Sequence, residues 1–388
     1  MREFFDSIQA IGAKLPSALS TAFLMAFLIA LPILGWAQDQ TCNITVDNSY
    51  AGGQGTAEDP YQIADFCDLI LLSQSSGDWA GHFIQTADIA FNADETTVDW
   101  NGDGTVDGAD TAGFSPIGNS SNPFGGNYDG GYYEIQNLHI NRPSTNQVGL
   151  FGNANVGRIE KLVLRNVDIE GQGQVGALVG YQKINIDDCG VESGEVEGTS
   201  KVGGLIGEAA LKDVTQSYSR ANVTGTSTYV GGLVGILNGA DLLDVFTQGD
   251  VTGTDSANYV GGVVGYVNSS SSAVKRVYST SKITADGASI KGALFGDGPS
   301  SNELDDFFWS SALSTIDIGS SLDNDLDEIS VSYSSLPGNG ADLTESEMRD
   351  LANFRDVDSD FNPSIWSDQA VALSVYPEFT WAMAQAPD

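Results

Sequence analysis

Between residues 148 and 296, apolar residues and glycines recur in one short phrase, Val-Gly-Gly-Leu-Val-Gly or a close variant of it. Each copy ends at a glycine, and these glycines step along the chain by 28, 27, 28, 30 and 31 residues. The six copies close at Gly152, Gly180, Gly207, Gly235, Gly265 and Gly296. A period of this size is typical of stacked supersecondary units, each of which contacts only its neighbours.

Two further apolar columns repeat with the same period. The first consists of Leu164, Val191, Tyr218, Phe246 and Tyr278. Five residues after each of these comes a member of the second column, which consists of Ile169, Val196, Val223, Val251 and Ile283. The intervening sequence is rich in Val, Ile, Thr and Tyr and is punctuated by Gly and Asn, which favours strands and turns. The pattern therefore predicts three short strands in every repeat.

Strands that repeat in this way pair best with their equivalents in the next repeat, at roughly 5 Å per rung. We therefore predict an all-β chain that forms a right-handed parallel β-helix of about six to nine coils, with the first column stacked inside it. The paired glycines fit places where two backbones pass closely or where φ is positive. A glycine-rich β-sandwich is the alternative, but a sandwich does not hold a fixed period over six units.

The repeated phrase resembles the GLUG motif of large secreted and surface proteins of bacteria. The flanking sequence resembles these proteins as well, at 53–63, 114–118, 124–130 and 344–348. The resemblance covers roughly 53–380 and implies a β-solenoid. It says less about activity, because the motif occurs in adhesins and in the non-catalytic parts of peptidases.

The N-terminal segment 1–37 is predicted to be a signal peptide. Residues 18–34 are almost wholly apolar, and Gly35-Trp-Ala37 offers small residues at the −3 and −1 positions of a cleavage site. An uncleaved signal anchor is the alternative, because the apolar run approaches the length that crosses a bilayer. We expect an exported chain, secreted or held at the cell surface, with no transmembrane span after cleavage.

The remaining sequence divides into segments that together predict a solenoid with a cap at each end. A leader and cap at 38–91 contains a predicted strand at Tyr61–Ile63 and a helix from Ala64 to Leu72, which would cover the open end of the sheet. A second short helix, Thr344 to Phe354, begins with a capping-box spacing. The other segments are an acidic calcium-loop insertion (92–113), the GLUG-type β-helix (114–296), an irregular final coil with long loops (297–340) and a C-terminal cap (341–388).

The chain is strongly acidic, with a formal net charge of −36. Such a surface repels nucleic acid and anionic lipid, both of which bind positive surfaces. It suits an exterior rich in salt or calcium, where cations screen or bind the carboxylates.

Cysteine usage agrees with export. Cys42 and Cys67 lie in the N-terminal cap and are the candidate disulfide pair. Cys189 lies within a repeat and is expected to be a small buried residue.

One local motif predicts a metal ion. In the segment from Asp99 to Asp110, oxygen-bearing side chains occupy positions 1, 3, 5, 9 and 12, and Gly104 stands at position 6. The segment resembles the calcium loop of dockerins, although Asp replaces the usual Glu at position 12 and flanking helices are lacking. An acidic turn that binds nothing is the alternative. The expected Ca²⁺ ligands are Asp99, Asn101, Asp103, Thr105 (through its carbonyl), Asp107 and Asp110.

The sequence offers little that predicts catalysis. His82 and His139 stand in dissimilar contexts, the basic residues are scattered, and the Asp187-Asp188 doublet suits turn chemistry. Tyr229 and Tyr259 each precede a copy of the glycine phrase and are either glycan-stacking residues or packed under a loop. We therefore expect a non-enzymatic module for adhesion or matrix binding, whose partner is a glycan or a surface protein. The alternative is a carbohydrate-active enzyme, a polysaccharide lyase or glycosidase, on a parallel β-helix.

Overall fold

The computed structural model divides the chain after Gln40, and the second unit, Thr41–Asp388, contains the repeats. The structure describes residues 39–254, 259–269, 272–285, 290–297 and 304–310, and three short strands beyond them. The predicted signal peptide and the predicted helix from Thr344 to Phe354 lie outside the described residues.

The helical elements of the described chain precede the repeats. They are α1 (Phe66–Gln74) and the 3₁₀ helices Glu95–Thr97 and Asp110–Ala112. The strands up to the first glycine phrase are β1 (Tyr61–Ile63), β2 (His82–Gln85), β3 (Ile89–Ala90), β4 (Asn127–Asp129), β5 (Glu134–Gln136), β6 (His139–Val148) and β7 (Phe151–Ala154).

The strands of the repeats follow in regular order. They are β8 (Arg158–Arg165), β9 (Val167–Val175), β10 (Val179–Gln182), β11 (Asn185–Val191), β12 (Gly194–Gly203), β13 (Ile206–Ala210), β14 (Val214–Ser219), β15 (Asn222–Gly225), β16 (Tyr229–Gly231), β17 (Val234–Asn238), β18 (Leu242–Thr247), β19 (Val251–Gly253), β20 (Tyr259–Gly261), β21 (Val264–Val267), β22 (Val274–Ser279), β23 (Ile283–Ala285), β24 (Ile290–Gly292) and β25 (Phe295–Asp297). The last strands are β26 (Leu304–Ser310), β27 (Asp342–Leu343), β28 (Trp366–Ser367) and β29 (Glu378–Phe379).

These strands form three parallel sheets that the chain visits in turn in every coil. Sheet 1 runs β1-β2-β4-β8-β11-β14-β18-β22-β26-β27, and β3 and β5 join it at the side. Sheet 2 runs β23-β19-β15-β12-β16-β20-β24, and β6 and β9 pair beside β12. Sheet 3 runs β7-β10-β13-β17-β21-β25. The predicted parallel β-solenoid is confirmed, and the six strands of sheet 3 mark about six turns.

The register confirms most of the periodicity read from the sequence. In sheet 2, the second apolar column pairs rung by rung, from Ile169 through Val196, Val223 and Val251 to Ile283. The glycine phrases pair in sheet 3 in the same way, for example Val179 with Ile206. Equivalent apolar side chains therefore stack along the interior, and nearly all are fully buried.

The glycine phrase exists because two backbones meet there. A Cβ atom on Gly231 would lie 2.1 Å from the carbonyl oxygen of Val234 and 2.6 Å from the amide nitrogen of Gly265. Gly203 and Gly261 are equally confined, each 2.1 Å from a carbonyl oxygen of its own coil. Real Cβ atoms do not approach backbone this closely, so only glycine fits at these positions.

The predicted first column is wrong in its register. Val191 pairs with Leu164 but also with Ser219, so that Tyr218 lies opposite Gly190. The interior rung continues through Ser219 to Thr247, whose hydroxyl donates to the carbonyl of Gly262 over 2.8 Å. These small polar residues occupy the rung because it adjoins the crowded glycine backbone, where an aromatic ring has no room.

The aromatic members of that column form a separate stack. The rings of Tyr218, Phe246 and Tyr278 lie nearly parallel, with centroids 4.9 and 5.1 Å apart. The guanidinium of Arg220 lies 4.9 Å from the ring centroid of Tyr218 and 5.4 Å from that of Phe246. The three rings are buried, and they do not belong to the main hydrophobic core.

The N-terminal end is covered as predicted. The helix α1 begins after Asp65, whose carboxylate accepts the backbone N–H groups of Cys67 and Asp68. Its apolar side, which includes Leu69 and Ile70, is buried against the first coils. The structure joins Cys42 to Cys67 in a disulfide with Cα atoms 5.5 Å apart, and this bond ties the leader to the helix.

Candidate functional site

The predicted calcium loop is organised around two buried carboxylates. Asp99 is fully buried, and its oxygens accept N–H groups of Gly102, Asp103 and Gly104 over 2.8–3.2 Å. It also accepts the N–H of Cys42 over 3.1 Å, which connects the loop to the leader. Position 1 of the motif therefore lies at the centre of the loop.

Position 12 closes the same loop. Asp110, 5 % exposed, accepts the N–H of Asn101 over 3.0 Å and the N–H of Asp107 over 2.9 Å. Asn101 in turn accepts the N–H of Asp103 over 2.8 Å. One hydrogen-bond network thus joins positions 1, 3, 5, 9 and 12.

The loop offers the donor atoms that Ca²⁺ prefers, but these atoms do not converge on one point. Carboxylate, amide and carbonyl oxygens at these positions are the donors that Ca²⁺ prefers. Within the described part of the chain, however, no three His, Cys, Asp or Glu side chains converge as metal ligands would. Asp103 and Asp107 are exposed, and calcium binding would require them to turn toward Asp99.

Ion pairs cover the outer side of sheet 1, which we call the charged face. Asp129, Glu160 and Asp187 occupy one register position on three successive coils. Such a row of like charges repels itself unless cations intervene. Arg158 bonds to Glu160 over 3.1 Å and to Asp187 over 3.2 Å. Lys161 lies 3.6 Å from Asp129 and 3.7 Å from Glu160.

A column of left-handed residues runs along the same face. Its members have φ between 46 and 56°, a region that residues other than glycine seldom adopt. Sheet pairing skips this position, since Asp187 and Cys189 pair with the neighbouring strand but Asp188 does not. The column consists of Lys161, Asp188, Gln216, Asp244 and Arg276.

This column carries two notable carboxylates. Burial raises the pKa of Asp188, the charges of Asp187 and Glu160 add to that rise, and a hydrogen bond from Tyr132 opposes it. Asp244 is 4 % exposed and is held by both ends of the Arg276 guanidinium, over 2.7 and 2.8 Å. The Asp187-Asp188 doublet therefore belongs to an ion-paired surface and does not simply form a turn.

A groove of about 540 Å³ lies beside the first rungs of the charged face. Its walls include Pro60, His82, Asn127, Asp129, Arg158 and Glu160. The Nδ1 atom of His82 lies 3.3 Å from the side-chain nitrogen of Asn127, and that of His139 lies 2.8 Å from Asp168, outside the groove. The two histidines are not brought together.

A second surface lies on the outside of sheet 3 and the adjoining edge of sheet 2, and we call it the neutral face. One of its columns consists of Gln147, Gln174, Lys201, Tyr229 and Tyr259, the residues that precede the paired valines of sheet 2. The second column consists of Asn153, Tyr181, Glu208, Ile236 and Tyr266. Amides and phenols dominate both columns.

The two charged residues of the neutral face neutralise each other. Lys201 donates to Glu208 over 2.7 Å, and Gln174 donates to the same oxygen over 2.8 Å. Burial would raise the pKa of Glu208, but the Lys201 and Gln174 bonds outweigh it and hold that pKa below its usual range. Asn238 donates to the other oxygen over 3.3 Å, so that the pair is fixed from three sides.

Three tyrosines form the far end of the neutral face. Tyr229 and Tyr259, the predicted stacking residues, have ring centroids 5.5 Å apart. Tyr266 joins both, at 4.9 Å from Tyr229 and 5.0 Å from Tyr259. All three are partly exposed. Sequence reasoning missed Tyr266, although it directly follows the closing glycine of its repeat, the position that Tyr181 also holds.

Comparison with known proteins agrees with the repeat architecture. No family model matches the chain. A stretch of 130 residues is 32% identical to Halomucin of Haloquadratum walsbyi, and covers 33% of this chain and 1% of Halomucin. A stretch of 180 residues is 31% identical to a protein of Evansella cellulosilytica provisionally named a Gly-rich membrane protein, and covers 44% of this chain and 19% of that protein. The chain thus spans a small part of these relatives.

A solved structure shares the fold. The crystal structure of a Bacteroides ovatus protein, provisionally named an immunoglobulin A1 protease, superposes with a TM-score of 0.59 at 18% identity. The match covers 86% of this chain and 95% of the other. At this identity the likeness concerns the fold alone. Among the described residues, no helix has the length and apolar character that crossing a bilayer requires.

Proposed function

We propose that this chain is an exported, non-enzymatic binding or scaffold module that acts at a cell surface or in an extracellular matrix. The observation that supports it best is a solenoid that carries two columns in which amides and phenols predominate, the neutral face, along its length. Solenoids of this kind commonly use an extended surface for binding. The disulfide between Cys42 and Cys67 suits an oxidising exterior.

The relatives support a surface location. One is named as a Gly-rich membrane protein and the other is Halomucin, and both are much longer than this chain. We also propose, from the resemblance of the glycine phrase, that the chain is related to the GLUG-motif proteins of bacterial surfaces. The signal peptide at 1–37, which would deliver the chain to the exterior, is part of the same proposal.

A panel of immobilised glycans and surface proteins tests this function. The full chain should bind at least one member of the panel and should release no new reducing ends or unsaturated products from polysaccharides. Turnover of any polysaccharide would contradict the proposal.

We further propose that the loop from Asp99 to Asp110 binds one structural Ca²⁺. The ion would tie a self-repelling acidic loop to the first coil through Asp99, which already bonds to the leader at Cys42. Ca²⁺ should raise the melting temperature of the wild type, and Asp99→Ala combined with Asp103→Ala should abolish that response. If titration calorimetry detects no calcium uptake by the wild type, the site does not exist.

The groove gives the enzymatic alternative a specific basis. Asp129 and Glu160 line it on adjacent strands, and neighbouring strands of a sheet lie roughly 4.8 Å apart. Retaining glycosidases hold two carboxyl groups at about 5 Å, with one acting as acid and the other as nucleophile. Against this alternative, Glu160 is engaged by both Arg158 and Lys161. Any polysaccharide cleavage that Glu160→Gln abolishes, while binding persists, would favour the enzyme.

A further inference from the structure

We propose that the neutral face binds an extended, uncharged polysaccharide that lies along the solenoid axis, with Tyr229, Tyr259 and Tyr266 as its main contacts. This inference rests on the proposed function as a binding module. It adds the position of the site and the chemical class of the ligand.

Charge selects the class of polymer. The chain carries a net charge of −36, which repels polyanions from the whole surface. On the neutral face, the Lys201–Glu208 pair cancels, and the next acidic side chain along its second column is Asp297, one rung beyond Tyr266. Polycations would find their partners among the carboxylates elsewhere on the chain, which has 52 Asp and Glu residues against 16 Lys and Arg. An uncharged polymer is the ligand that this face can hold without competition from the rest of the surface.

The shape of the face selects a linear polymer. Both columns advance one residue per coil, at roughly 4.8 Å per rung, across consecutive coils. A surface that repeats along one axis offers the same contacts again and again to a chain of repeating units. A compact ligand would use only one or two rungs.

The polar residues are already held in place. Asn153 donates to Gln147 over 3.1 Å, and Gln174 is fixed by its bond to Glu208. Each side-chain amide has two N–H donors and a carbonyl oxygen with two lone pairs, so the partly exposed Gln147 and Gln174 keep capacity for sugar hydroxyls, while the buried Asn153 holds Gln147 in place. Because the side chains are ordered before binding, little conformational entropy is lost.

The tyrosines supply the apolar contact. Each ring lies about 5 Å from the other two, so the three hold one another in a fixed cluster. In the described part of the chain, their hydroxyls bond to no protein group, and all three side chains are partly exposed. A phenol with an apolar ring and a polar tip suits a sugar, whose C–H groups and hydroxyls require both kinds of contact.

The test uses the full chain and soluble polysaccharides: uncharged dextran, galactomannan and a β-glucan, and the polyanion alginate. Binding is measured by affinity gel electrophoresis and titration calorimetry. The wild type should bind an uncharged polymer, and Tyr266→Ala should weaken binding about tenfold, the loss typical of a removed aromatic anchor. The control is Tyr133→Ala, which removes a tyrosine that is 38% exposed near sheet 1 and should leave binding unchanged.

A gentler variant guards against misfolding. Replacing Tyr229, Tyr259 and Tyr266 together by Phe keeps the ring packing and removes the three hydroxyls. It should melt like the wild type and still bind the uncharged polymer several-fold more weakly, because only hydrogen bonds are lost.

The outcomes separate this inference from the function beneath it. If the chain prefers alginate, or if neither tyrosine variant weakens binding, the neutral face is not the binding site. The proposed function as a binding module would still stand. Binding to proteins of the panel but to no polysaccharide leads to the same two conclusions. New reducing ends in the wild-type reaction contradict the proposed function itself.

Discussion

The charged face and the neutral face are built on the same solenoid by different means. On the charged face, carboxylates stand on successive rungs and are held by Arg158, Lys161 and Arg276. On the neutral face, amides and phenols occupy the rungs, and the glycine backbone beneath them packs at van der Waals distance. The repeat therefore determines the backbone, while the outward-facing residues of each sheet can differ in charge and polarity.

The difference explains how a very acidic chain keeps one face of its solenoid with little charge. Unpaired carboxylates on adjacent rungs would destabilise any sheet. Ion pairing on sheet 1 offsets that repulsion and uses up many of the few cations that the chain possesses. Sheet 3 avoids the problem by carrying little charge.

Removing a cation from the charged face should have the largest effect on stability. Arg276→Leu leaves Asp244, 4 % exposed, without its two-pronged partner, and we expect a loss of about 3 kcal/mol in the free energy of unfolding. Denaturant titration measures it. The double variant with Asp244→Asn should recover much of the loss.

The matched change on the neutral face is Lys201→Met, after which Gln174 and Asn238 still donate to Glu208. It should cost about 1.5 kcal/mol, the lower end for a hydrogen bond to a charged group, because two donors to the buried Glu208 remain. Equal losses for Lys201→Met and Arg276→Leu would erase the distinction between the two faces.

Adding one methyl group beneath the neutral face should have the next largest effect. The new Cβ of Gly231→Ala meets backbone atoms at 2.1 and 2.6 Å, so the coils must separate, at a cost of about 2 kcal/mol. The control is Gly125→Ala, which meets nothing within 4 Å. If both variants shift the denaturation midpoint by the same amount, the effect comes from the reduced flexibility of the unfolded chain and not from crowding at Gly231.

A pH dependence should appear on the charged face. Because burial raises the pKa of Asp188, the folded chain binds that proton more readily than the unfolded chain. Stability from this group is therefore lost as the pH rises through the folded pKa, and ionised Asp188 is unfavourable at neutral pH.

Asp188→Asn should raise the melting temperature at pH 7 by on the order of 1 °C, since the site is partly solvated. The gain should vanish below about pH 4, where the carboxyl is protonated in both states. Asp187→Asn serves as the comparison. It removes an acceptor of Arg158 and should bring no gain. A gain from Asp188→Asn that persists in acid would point to packing instead of charge.

The sequence predicted the backbone better than the outward surface. Fixed spacing identified the column from Ile169 to Ile283, because its first four members each stand two residues before a glycine and all five pair in register. The aromatic column failed by one residue, since a 27-residue and a 28-residue step are equally plausible without knowing where the backbone bulges. The left-handed position at Asp188 has no signature of its own, because Lys, Asp, Gln and Arg share it.

The sites were predictable to different degrees. The pairing of Cys42 with Cys67 followed from their shared place in the N-terminal cap of a chain expected to be exported. The neighbourhood of Tyr229 and Tyr259 followed from spacing. Most ion pairs of the charged face did not, because pairs such as Arg158 with Asp187 join residues about one coil apart and depend on register. The order of the sheets was needed to show that Tyr266 and Glu208 share a face.

Hydroxyl-radical footprinting of the chain with and without an uncharged polysaccharide tests the division between the two faces most directly. Tyrosine oxidation is read by mass spectrometry, and the chain carries its own control in Tyr132 and Tyr133, which are 37% and 38% exposed. We predict that bound polysaccharide protects Tyr229, Tyr259 and Tyr266 and leaves Tyr132 and Tyr133 as reactive as before. Protection of Tyr132 and Tyr133 with the other three unchanged would contradict the account.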